Sequence, residues 1–122
     1  MTRVVRGLCR QALDGAVRDF VLAHALAHDD SVETQLEELD ALATSKDRLK
    51  FAEALDWPNL KGQTHPVTRA QGHVSDHLKK WNSASHPLRA GESEPAEPDA
   101  TELEHEIKSA RDACTALRTA RL

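Results

Sequence analysis

Over the first 28 residues, apolar side chains recur at intervals of three and four: Val4, Val5, Leu8, Cys9, Ala12, Leu13, Ala16, Val17, Phe20 and Val21. That spacing follows the 3.6-residue turn and puts all ten on one face of a helix over residues 2–28. A stripe this long must be buried against other elements, and the rest of the chain offers only helices for the purpose. Nowhere do four or more β-branched or aromatic residues alternate with polar ones between turn residues, the pattern a half-buried strand requires. Eighteen alanines, with many Leu, Glu, Arg and Lys, lose little side-chain freedom in a helix, so summed propensity points the same way. With 122 residues, two Phe, two Trp and no Tyr, the chain reads as one all-α domain around a small aliphatic core. Gly7 and Gly15 each cost the first helix about 1 kcal/mol relative to Ala and are read as marking close helix contacts.

The later segments carry their own start and stop signals. Asp29-Asp30-Ser31 offers an N-cap for a second helix bearing Val32, Leu36, Leu39, Leu42 and Ala43. Thr44-Ser45 either caps a separate third helix carrying Leu49, Ala52 and Leu55 or lies inside a continuous one, and Trp57-Pro58 ends it in both cases. After a loop over residues 59–65, Pro66 suits the first position of a helix carrying Val67, Ala70, Val74, Leu78 and Trp81, which frays over residues 83–86 ahead of Pro87. Residues 91–98 turn to Gly, Ser, Glu and Pro and read as a solvated linker. Asp99-Ala100-Thr101-Glu102 resembles a capping box, and Leu103, Ile107, Ala110, Cys114, Leu117 and Arg121 then form a narrow seam on a final helix over residues 99–122. The expectation is a four- to five-helix bundle with long first and last helices and no internal repeat.

Several function classes drop out. The longest apolar stretch, residues 20–27, is far short of the ~20 residues that span a bilayer, and no small-residue cleavage site follows the basic start, so a cytoplasmic chain without membrane contact is expected. Cys9 and Cys114 lack the paired spacing of zinc sites or disulfide frameworks and read as buried, reduced thiols. There is no Ser-His-Asp order and no glycine-rich phosphate loop. His24 and His28, and likewise His73 and His77, stand four apart on one helix side, but no carboxylate set joins them, so neither metal nor cofactor is expected.

Charge is segregated along the chain. Formal charge is +2 over residues 1–28, −6 over 29–56, +4 over 57–90 and −4 over 91–122. The +4 segment sets Lys61, Arg69, Lys79, Lys80 and Arg89 against Asp76 alone and holds four of the seven histidines. A phosphate-bearing partner is expected to meet the protein there, although a solvated basic face opposite the acidic second helix accounts for the charge equally well. At the end of this segment, Lys79, Lys80, Asn82 and His86 bunch within eight residues. Asn82 and His86 stand four apart, which brings both side chains to one place on a helical backbone. They also suit a simple helix cap before Pro87.

Leu8-Cys9-Arg10-Gln11-Ala12-Leu13-Asp14 on a long first helix, and Leu78-Lys79-Lys80-Trp81-Asn82-Ser83-Ala84-Ser85-His86 before a final helix, resemble the HEPN superfamily of small helical bundles. The closer likeness is to HEPN-like modules of bacterial AAA- or SMC-type ATPases linked to phage defence. The resemblance implies a homodimer whose paired motifs face one cleft, with RNA or a nucleotide as ligand and such an ATPase as partner. It also implies metal-independent ribonuclease chemistry, in which His86 acts on the 2′-hydroxyl or leaving oxygen beside Asn82 while a cation stabilises the phosphorane. The family's arginine position, directly before Asn82, is Trp81 here. Lys80 and Lys79 are the nearest cations, and a lysine cannot offer the bidentate fork of a guanidinium. The candidate catalytic set is therefore His86, Asn82 and Lys80, with Lys79, Lys80, Arg69 and Arg89 as the nucleic-acid-binding set. The alternative is a non-catalytic interaction bundle that recruits a partner or a second copy through the Leu103 to Leu117 seam.

Overall fold

The computed structural model describes residues 2–28, 31–57, 60, 62–85, 91 and 98–120. Six α-helices and no strand occur among them: α1 (Thr2–Ala27), α2 (Val32–Asp40), α3 (Ser45–Glu53), α4 (Pro66–Val74), α5 (Leu78–Ala84) and α6 (Ala100–Arg118). Local chemistry sets most of the boundaries. Ser31, Thr44 and Asp99 each accept a hydrogen bond from the amide three residues on, satisfying one of the donors a helix start leaves unpaired. Thr44 thus opens a separate α3, so the second and third segments do not run together. Pro66 occupies the first turn of α4, and His65 Nδ1 accepts from the Val67 amide at 3.1 Å. That acceptor role leaves the His65 proton on Nε2, which donates to the Leu55 carbonyl at 3.1 Å and ties α4 to the end of α3.

The long first helix is the axis of the fold. Leu13, Ala16, Val17 and Val21 are wholly buried on it, and α2, α3, α5 and α6 all pack against it. Helix α6 lies alongside with its contacts advancing in step, Arg6 with Glu106 and Ala12 with Cys114, so the first and last helices run parallel. Helix α4 packs on α6 through Val67, Ala70 and Val74, while Leu39 and Leu49 bring in α2 and α3. Phe20 stacks on Trp57, ring centroids 4.7 Å apart, and so covers the far end of the core.

Several expectations are corrected by this packing. The helix predicted to run from Pro66 through Trp81 is broken at residues 75–77 into α4 and α5. The first-helix stripe does not hold at its start: Val4 is 61% and Leu8 58% exposed, whereas Arg6 is buried. The last-helix seam is displaced too, with Leu103 half-buried and Ile107 39% exposed, while Glu106, Ser109, Ala113 and Ala116 turn inward. Seam residues Ala110, Cys114 and Leu117 pack within the chain. Arg121 lies outside the described residues. Gly7 and Gly15 mark no close approach, since a Cβ at either would meet nothing within 4 Å.

A single polar contact explains both displaced stripes. Glu106 receives Arg6 Nε at 3.0 Å and Arg6 Nη2 at 2.9 Å on its two oxygens, and Trp81 donates its indole N–H to the same carboxylate at 2.9 Å. Arginine's planar fork matches a carboxylate in this way, and all three residues are buried. To put Arg6 and Glu106 inside, the helices rotate Val4, Leu8 and Ile107 outward. A second network fixes α3: Asp14 accepts from Ser45 Oγ at 2.7 Å and Arg48 Nη1 at 2.9 Å and pairs with Arg10 at 3.5 Å, while Arg10 also reaches the Ala43 carbonyl at 2.8 Å. The Arg10–Asp14 pair, four residues apart on α1, is thus part of an inter-helix tie.

Candidate functional site

Between α3, α4 and α5 the surface opens into a groove of about 630 Å³. Lys46 and Lys50, four apart on α3, form one wall, and Lys79 with Asn82, three apart on α5, form another. Leu49 and Leu78 give an apolar floor, and Thr44, Gln71 and Ser75 complete the lining. Among the described residues that line it there is no carboxylate. Asn82 is half-buried, and its Oδ1 atom is buried with no hydrogen-bond partner among the described residues. Leaving an acceptor in that state costs about 1–3 kcal/mol.

The expected site residues divide around α5. Lys79 and Asn82 share the groove, but Lys80 stands 100° further round the helix and lines a different cleft with His77, His105, Glu102 and Glu106. Arg69 is exposed on α4 and lines neither. His86 and Arg89 lie outside the described residues. Trp81, at the position where the resembled family carries arginine, has no exposed surface and faces Glu106. A cation at position 81 would therefore meet the buried Arg6–Glu106 pair and not the groove.

Lys46 and Lys50 were not among the expected residues. They lie more than 25 residues before Lys79 in sequence, inside a stretch whose net charge is strongly negative, and only the packing of α3 against α4 and α5 brings them to the site. The available signal was their i,i+4 spacing on a helix opened by Thr44.

Among the described residues no group of three or more His, Cys, Asp or Glu gathers as a metal site would need, and the two histidine pairs differ in their surroundings. His24 and His28 stack at 4.1 Å, but Nε2 of His24 is engaged by the Asp56 carbonyl at 2.7 Å and Nδ1 of His28 by the His24 carbonyl at 2.9 Å. A ring nitrogen held by a carbonyl carries its proton there, which leaves His24 Nδ1, buried without a hydrogen-bond partner, and His28 Nε2 as the acceptor nitrogens. His73 is exposed, whereas His77 is buried at the head of α5, stacked on Trp81 at 5.5 Å and edge-on to His105 at 5.5 Å. Burial holds His77 below the ordinary imidazole value, outweighing the attraction of Glu106, so the ring is neutral near pH 7. Burial alone would raise the Glu106 carboxyl, but the hydrogen bonds from Arg6 and Trp81 and the guanidinium charge bring it below the ordinary carboxylate value. Cys9 and Cys114 are free, buried thiols, as the sequence led us to expect, and burial pushes both up, away from the reactive thiolate.

No protein family, curated protein or solved structure matches the chain.

Proposed function

We propose that this chain is a HEPN-like RNA- or nucleotide-binding module that takes the phosphates of its ligand on Lys46, Lys50 and Lys79. The observation that supports this reading is the carboxylate-free groove lined together by Lys46, Lys50, Lys79 and Asn82. Lysines supply the sequence-independent attraction to a phosphate backbone. The side-chain amide of Asn82, which lines the groove, can hydrogen-bond a ribose 2′-hydroxyl where deoxyribose offers none. The Leu49 and Leu78 floor accepts the less polar face of a sugar or base.

The resemblance assigns the imidazole of this site to His86 and the pairing of two protomers to the same edge. It also suggests a defence-linked AAA- or SMC-type ATPase as the larger context. We read the role as binding, with any cleavage slow. Lysine gives a phosphorane only a point charge, and position 81, where the family's guanidinium would stand, is turned into the core. Arg69 and Lys80, neither of which lines the groove, contribute long-range field and no direct contact in this reading.

Fluorescence anisotropy with a short labelled single-stranded RNA tests it. The Lys50→Glu/Lys79→Glu protein should bind at least about tenfold more weakly, and the slope of log affinity against log salt should fall by about 1.4, the value for two lost phosphate contacts on a single strand. Asn82→Leu should abolish any preference for RNA over DNA of the same sequence. An unchanged affinity and salt slope in the double variant would refute the proposal, and His86→Ala separates binding from any cleavage.

A further inference from the structure

Three of the large hydrophobic side chains that the described surface leaves exposed, Val4, Leu8 and Ile107, gather on one side of the molecule where α1 and α6 run parallel. Between these two helices lies a second groove, about 550 Å³ in volume and on the opposite edge of α6 from the cleft of His105. Its floor is made of small residues, among them Ala12 and Ala110, and Leu8 and Ile107 stand along its walls. Large side chains flanking a floor of small ones leave a trough that the ridge of a third helix can enter, at the shallow crossing angle usual in bundles.

The rim decides what fits. Arg111 and Arg118 line the groove seven residues apart on α6, two turns along the same helix side. Neither makes an ion pair or hydrogen bond among the described residues, and no carboxylate lines the groove there. We propose that this groove docks an amphipathic helix of a partner protein, its leucine-type ridge seated on the small-residue floor and its carboxylates, spaced two turns apart, set against Arg111 and Arg118. The α6 lining runs from Ile107 to Thr119, which at 1.5 Å per residue is about 18 Å, or a docked helix of roughly three turns. A second copy offering the same face would bring like-charged rims together, which favours an acidic partner over self-pairing. A trough with projecting walls also suits a helix better than it suits a flat lipid surface.

The test uses the full chain and a labelled, N-acetylated peptide of about 14 residues with leucines at three- and four-residue intervals and glutamates flanking them. The expected result is saturable binding that weakens with salt, is about tenfold weaker for the Arg111→Glu/Arg118→Glu protein, and is lost in Leu8→Glu. Leu8 is already more than half exposed, so that variant should melt at the wild-type temperature. A peptide with lysine in place of glutamate should not bind. The proposal is overturned if neither peptide binds, if both bind alike, or if the arginine variants leave binding unchanged. It is equally overturned if sedimentation shows a wild-type dimer that Leu8→Glu dissociates, or if phosphatidylserine vesicles compete the peptide off.

Discussion

Replacing Glu106 by alanine removes the single acceptor on which three buried donors converge, Nε and Nη2 of Arg6 and Nε1 of Trp81. The guanidinium is left charged and unpaired with only 11% of its side chain exposed, and the indole N–H loses its partner in a residue with no exposed surface. Breaking a buried pair from one side costs about 3–5 kcal/mol, because the remaining charge keeps its desolvation penalty. Against a total stability on the order of 5–15 kcal/mol this is a large fraction, and for a chain of this length it lowers Tm by roughly 10–20 °C. The double variant Arg6→Met/Glu106→Gln removes the orphaned cation and keeps an acceptor for Trp81, so it should recover to within about 1–2 kcal/mol of wild type. Urea unfolding followed by tryptophan fluorescence compares the wild type, Glu106→Ala and the double variant. A loss below about 1 kcal/mol in Glu106→Ala, or a double variant no more stable than that single, would refute the claim that this network aligns α1, α5 and α6.

Acid should weaken the fold in two stages, both of the same sign. His77 and Glu106 have folded values below their ordinary ones, so the unfolded chain binds more protons and stability falls as pH falls. The His77 contribution is fully present above the unfolded imidazole value of about 6.5 and is lost below it; the Glu106 contribution goes at lower pH, below about 4.3. His77→Phe, which keeps the stack on Trp81, should flatten urea midpoints between pH 7 and pH 5, and an unchanged slope would show that His77 is not the responsible group. Gly15→Ala should stabilise the protein by up to about 1 kcal/mol, since the added methyl meets open space on an exposed helix face; a lower melting temperature would contradict that packing.

Helix-local chemistry was legible in the sequence, and long-range polar pairing was not. Ser31, Thr44, Pro66 and Asp99 announce helix starts because a cap is a contact within three residues, and the apolar spacing from Leu13 to Val21 reports burial for the same reason. Arg6 and Glu106 sit one hundred residues apart, so nothing near either says that it is buried, and the local apolar spacing runs through Val4, Leu8, Leu103 and Ile107 instead. The break between α4 and α5 carries no local signal, because Ser75, Asp76 and His77 include neither Gly nor Pro; there His77 is buried and its amide donates to the Val74 carbonyl at 2.8 Å. At the candidate site, Asn82 and Lys79 were visible as neighbours on one helix. Lys46 and Lys50 were hidden by an acidic segment average that a helix face does not obey.

Two-dimensional ¹H–¹⁵N spectra recorded while a short single-stranded RNA is titrated in bear most directly on the groove reading. The account predicts that the side-chain amide of Asn82 and the backbone amides around Lys46, Lys50 and Lys79 shift first and together, and that these shifts fade as salt is raised. Shifts confined to the α1–α6 face around Leu8 and Ile107, or no shifts at concentrations where lysine-rich surfaces ordinarily bind RNA, would contradict it.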